Sequence, residues 1–123
     1  MDYKKKTEEI TKAVIIDGHE VPIKSQKFLS ASMIKCEVGT NIPQGGDTGH
    51  GGRTYFMIED LGCTDMRVDT HRGNGMEDNS SSKVEIVFAG DDEAFQFLSA
   101  LKFAVNVLWE QIKLNGYGGE TNE

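Results

Sequence analysis

The chain has 123 residues, which suits one domain and leaves little room for two. Lys and Arg total 13 against 20 Asp and Glu, a formal charge of −7. That balance excludes a wide surface for long nucleic acid or an anionic membrane, because such surfaces need excess positive charge, but it leaves room for one small anion held locally.

Apolar residues are 37% of the chain, with Gly at 14 positions and Pro at 2. Glycine therefore shapes the backbone here and does not form a Pro/Gly linker. No apolar run nears the roughly 20 residues of a membrane span. No stretch behind Met1 is apolar enough for a signal peptide, and the expected location is cytosolic. Cys36 and Cys63 match no zinc spacing and are expected as reduced thiols.

In chain order, residues 1–12 are charged and aperiodic, expected as a flexible arm or a strand that orders against a partner. A single domain is expected over 13–115 and a polar tail over 116–123. Ala13–Ile16 is a β-branched run, Asp17-Gly18 a hairpin turn signal, and Val21–Lys24 the returning strand, placed at an edge because Pro22 cannot donate to a ladder. Ile34, Cys36 and Val38 alternate with Lys35 and Glu37, which predicts a half-buried strand with the apolar set inward. Thr54–Glu59, a short Met66–Asp69 and Lys83–Phe88 follow as further strands.

Asp91 and Asp92 then read as N-cap and dipole partners of a helix running to Leu114, with Asn115-Gly116 as its stop. Phe97, Leu101, Val105, Leu108 and Ile112 form a stripe expected to pack on the sheet. Phe95, Leu98, Phe103, Val107 and Trp109 lie outside it. A helix apolar on two sides is normally buried on both, so a partner subunit is expected. The fold class is thus α+β: an antiparallel sheet of five to six strands, then a long C-terminal helix, in an oligomer.

The unusual segment is Gly39–Thr54, which gathers Gly39, Gly45, Gly46, Gly49, Gly51 and Gly52 between two strands. A simple hairpin needs two to five loop residues, so this length calls for a reason. Glycines let backbone N–H groups approach an anion, and Arg53 adds a forked donor suited to phosphate. Loop and arginine read as a phosphate cradle. The alternative is a close-packed loop at a subunit contact, with Arg53 paired to Asp47 or Glu59. The segment is neither a Walker A loop nor a dinucleotide fingerprint. His50 with Asp47 could form a base and its orienter, but no nucleophile elbow accompanies them. No histidine has metal-ligand spacing. A second polar loop, Thr70–Ser82, carries His71 and Arg72, which could close over a ligand.

The stretch Gly45-Gly46-Asp47-Thr48-Gly49-His50-Gly51-Gly52-Arg53-Thr54, with Tyr55–Ile58 and Asp60-Leu61-Gly62 behind it, resembles phage-encoded Thoeris anti-defence proteins of the first type. The order of an antiparallel sheet and then a helix is similar as well. The resemblance implies a sponge that binds cyclic ADP-ribose isomers and withholds them without cleaving them. Some such proteins are hexamers, and some also hold cyclic di- or trinucleotides at a separate site. It further implies a site between subunits, in which an aromatic ring stacks on adenine while Asn and Arg hold polar groups. Carried onto this chain, Arg53 and Thr54 match best, beside loop residues Gly46, Asp47, Thr48 and His50. Phe95 or Phe103 with Asn106 are the helix candidates, Phe97 competes, and Lys24 and Lys27 are weaker basic contacts. No cofactor, metal or catalytic residue is implied. Two other readings stand beside it: a structural or protein-interaction module with a glycine-rich interface loop, and a small cyclic-nucleotide hydrolase using His50 and Asp47.

Overall fold

A computed structural model of the chain describes residues 5–68 and 83–117. The expected loop with His71 and Arg72, and the tail beyond Tyr117, lie outside the described residues.

Six strands form one antiparallel sheet: β1 Lys5–Lys6, β2 Ile10–Ile16, β3 His19–Leu29, β4 Met33–Thr40, β5 Arg53–Gly62 and β6 Lys83–Ala89. Both β1 and β2 pair along β3, so the sheet is five positions wide and each ribbon lies beside its neighbour in sequence. One helix, α1 at Asp91–Leu114, closes the order. The expected α+β class holds. Asp17 and Gly18 take φ of 51° and 81°, the positive pair that a tight two-residue hairpin needs.

Several expectations are corrected. Ile10, Thr11 and Lys12, assigned to the arm, belong to β2. Pro22 is not on an edge strand, because β3 lies between β2 and β4. It is tolerated since it faces Ala13 of β2 and lies beyond Lys24↔Val38, the last β3–β4 pair, so its missing donor costs that ladder nothing. Of the expected strand Met66–Asp69, residues 66–68 form no strand and Arg67 makes an isolated bridge, while Asp69 lies outside the described residues. Gly39 belongs to β4, not the loop, and a side chain there would strike the Pro22 carbonyl.

The two sheet faces differ. Register places Val21, Ile23, Ser25, Lys35, Glu37, Met57 and Glu85 on one, and Ile34, Cys36, Val38, Phe56, Ile58, Ile86 and Phe88 on the other. Helix α1 starts on the second face. The Phe97 ring stacks on Phe88 at 4.5 Å between centroids and meets Phe56 edge-on at 5.5 Å. The buried core, however, is Val21, Ile23 and Met57 on the first face, with Ala94 of the helix. The predicted inward and outward sets of β4 are therefore reversed at one end. Glu37 is only 5% exposed, whereas Val38 is 41% exposed. Ser25, Lys12 and Lys35 close over Glu37, while nothing described covers Val38.

The helical stripe is also only half placed. Phe97 and Leu101 are partly buried, but Val105, Leu108 and Ile112 are exposed. At 1.5 Å per residue the 24-residue helix is about 36 Å long, and its packing is against β5 and β6 near its start. In its second half Val107 and Trp109 are half-buried, while Phe103, Val105, Leu108, Ile112 and Leu114 are exposed. No described helix is long and apolar enough to cross a membrane.

Candidate functional site

The loop between β4 and β5 is held by charges from elsewhere in the chain. Asp91 is the first residue of α1. Its Oδ2 accepts the N–H groups of Gln44 at 2.9 Å and Gly45 at 2.7 Å, and its Oδ1 accepts that of Gly52 at 2.8 Å. Glu93 accepts the Thr48 N–H at 3.0 Å and the Thr48 hydroxyl at 3.2 Å. In return, the Gly46 carbonyl accepts the Asp91 N–H at 2.8 Å. These bonds hold both carboxyls below their ordinary ranges. The Gly52 N–H leads for Asp91 and the Thr48 N–H for Glu93. Asp91 is thus not the N-cap the sequence suggests. Gly90 holds that position without a side-chain cap, and Asp91 turns its carboxylate back onto the loop.

Arg53 is buried at the loop exit. Its Nε donates to Asp17 Oδ2 at 2.8 Å, Nη1 to the carbonyls of Gly51 and Gly52 at 3.1 and 3.2 Å, and Nη2 to that of Gly49 at 3.3 Å. It pairs with neither Asp47 nor Glu59; Glu59 instead takes Lys35 at 3.2 Å. The Arg53 backbone N–H donates to Asn41 Oδ1, and Thr54 shares a 2.8 Å hydroxyl contact with Thr40. The glycines permit this closeness. Gly51 has φ of 100°, and a Cβ there would come within 2.6 Å of the Gly46 carbonyl.

The cradle read from the sequence therefore exists as a set of converging N–H groups, but two carboxylates of the same chain occupy it. Among the described residues Asp17 is the acid that pairs with Arg53, while the Asp91 and Glu93 carboxylates are taken up by loop N–H groups. His50 is exposed. Its backbone N–H donates to the Asp47 carbonyl, and no described bond joins the two side chains, so the base-and-orienter pair is not formed.

The helix candidates lie apart from the loop's interior. Phe97 is engaged with Phe56 and Phe88, which makes it a packing residue. Phe95 is 57% and Phe103 69% exposed, and Asn106 is exposed one turn beyond Phe103. Nine residues at about 100° each put Phe103 opposite the buried Ala94. Residues three apart on a helix have Cβ atoms roughly 5–6 Å from each other, so ring and amide are neighbours. Lys27 is on the opposite sheet face and pairs with Lys35, away from the loop. Lys24 reaches Glu9 at 3.6 Å. One copy of the chain does not bring Lys27, the loop and Phe103 together.

Sequence reasoning missed the roles of Asp17, Asp91 and Glu93. A signal was present, since a donor-rich loop needs acceptors and two acids stand at the helix start. It also missed the Glu37 cluster. Among the described residues no group of three His, Cys, Asp or Glu could hold a metal. Cys36 and Cys63 are free thiols, and burial pushes the Cys36 thiol up. Compared with known proteins, the chain matches no family model, no curated protein and no solved structure.

Proposed function

We propose that this protein is a non-enzymatic sponge for cyclic ADP-ribose-type nucleotides, assembled from copies of itself and acting in the cytoplasm of an infected bacterium to block Thoeris immunity. The observation that carries the reading is Phe103. A ring 69% exposed on the helix side away from the sheet does nothing for a lone folded chain. It stands one turn from an amide whose donor and acceptor match the edge of adenine. Lys102 sits beside them as a local cation in an acidic chain.

The tied-down loop takes a different role from the one its glycines suggest. With its donors engaged, it forms a rigid wall on which a neighbouring copy completes the site. Sub-micromolar capture needs roughly −8 kcal/mol, which one ring and one amide do not reach, so enclosure between subunits is part of the proposal. A homo-hexamer, and a separate site for cyclic di- or trinucleotides, belong to the same proposal through the resemblance alone.

A second reading has its own support. Engagement of the loop by Asp91 and Glu93 is what an interaction module with a structural loop requires. Calorimetry with cyclic ADP-ribose separates the two. The sponge binds it and, after heat denaturation, returns it intact; the module shows no heat of binding. Recovery of a cleaved nucleotide sinks both and favours a hydrolase.

A further inference from the structure

We infer that the cavity on the charged face of the sheet, bordered by residues of β2, β3 and β4 and by Thr7, is a binding site for a small, hydroxylated phosphate monoester. The site is independent of the nucleotide reading. The cavity has a volume of about 220 Å³. Strand structure is interrupted at residues 7–9, between β1 and β2, and Thr7 and Ile10 from either side of this break line the cavity. Thr7 staples this break to β3 by donating its N–H to the Lys27 carbonyl at 3.1 Å and accepting the Gln26 side-chain amide at 2.7 Å.

The lining is cationic in a chain that is not. Lys12, Lys27 and Lys35 border the cavity, and Glu37 is the single acid among its lining residues. The Lys12 ammonium is held on Glu37 Oε2 at 3.0 Å, the Lys35 ammonium is shared between that oxygen at 3.8 Å and Glu59 Oε1 at 3.2 Å, and Ser25 donates to Glu37 Oε2 at 2.9 Å. Lys27 makes no ion pair among the described residues, and its ammonium is available to a phosphate as a point charge.

Glu37 supplies the second half of the recognition. All of its described contacts fall on Oε2. Glu37 is itself one of the residues that line the cavity. Burial opposes its charge, but the bonds from Lys12 and Ser25 and the charges of Lys12 and Lys35 win, and the carboxyl stays below its ordinary range. An ionised carboxylate oxygen at a cavity wall accepts a ligand hydroxyl. Ile10 and the lysine stems give the carbon skeleton an apolar wall.

At interior packing density of about 0.74, the cavity accommodates roughly 160 Å³ of ligand, the scale of a three- to five-carbon polyol phosphate.

The test titrates the full chain with glycerol 3-phosphate, with inorganic phosphate and glycerol as controls, while amide NMR shifts are followed. Saturable shifts at Ser25, Lys27, Lys35 and Glu37 are expected, tighter for the monoester than for either control. Lys27→Met, which disturbs no described ion pair, should weaken binding about tenfold, the scale of one charged contact. Glu37→Gln should erase the preference over inorganic phosphate; if that variant loses shift dispersion through unfolding, Lys27→Met carries the test. Linear shifts, or saturation unchanged in Lys27→Met, overturn the inference. Displacement of the monoester by cyclic ADP-ribose also overturns it, whereas failure of that nucleotide to bind anywhere leaves it standing.

Discussion

The two ends of α1 live under different rules. At its start, polar groups are closely matched: Asp91 and Glu93 accept loop N–H groups, while Arg53 returns charge to loop carbonyls and to Asp17. Past Leu101 the same helix exposes Phe103, Val105, Leu108, Ile112 and Leu114 to nothing described. A donor can be satisfied by one acceptor that the chain brings round from a distance. Apolar area is satisfied only by more area, and a chain with one sheet has none left to offer. The first end is finished within one copy. The second is left exposed, which is why the proposed site is placed between copies and not inside the loop.

The largest expected effect comes from breaking the unfinished end. Leu108→Asp together with Val105→Asp should reduce the assembly to single chains in sedimentation or native mass spectrometry. A wild-type protein that is already monomeric at micromolar concentration would remove the contrast altogether.

Next is the finished end. Arg53→Ala strips a buried guanidinium from Asp17 and three carbonyls and should lower stability by about 2–3 kcal/mol, read as a shifted urea midpoint. Arg53→Lys should not restore it, because an ammonium cannot span the same fork of acceptors. Loss of nucleotide affinity at full stability would instead place Arg53 on the ligand.

A smaller and opposite pattern is expected for Phe103→Ala. Stability should stay within about 0.5 kcal/mol, as for other exposed positions. Affinity for cyclic ADP-ribose should fall by roughly 1–3 kcal/mol, the scale of one base stack, in calorimetry.

The smallest effect is a dependence on pH. Asp91 and Glu93 have folded-state pKa values depressed below the ordinary 3.8 and 4.5. Their contribution is therefore present above those values and is lost as pH falls through the lower folded ones. Hydrogen exchange at the Gly45, Thr48 and Gly52 amides should accelerate relative to the core as pH drops below about 4.5. In Asp91→Asn with Glu93→Gln the extra acceleration should vanish, because the acceptors of those amides no longer titrate.

Much of the fold is legible along the chain because its causes are local. Asp17-Gly18 turns because both residues accept positive φ, and α1 ends at Leu114 before Asn115-Gly116, where the sequence suggests a stop. Alternation likewise finds β4 and β6. It does not tell which set is covered, because Lys12 of β2 and Ser25 of β3 decide that Glu37 is enclosed. Exposed Phe103 and Asn106 are visible as residue types, but their side of the helix is fixed only once Ala94 and Phe97 have chosen the sheet.

The glycine-rich loop marks the boundary between the two kinds of information. The sequence by itself determined that the segment would be rich in converging N–H groups, since only glycine tolerates the positive φ and close approach found at Gly51. Only the tertiary structure decided what those groups meet. Gly52 and Asp91 stand 39 residues apart, across β5, the segment beyond it and β6. A pairing at that distance is set by the antiparallel return of the chain and by the entry of α1, and no local pattern encodes it.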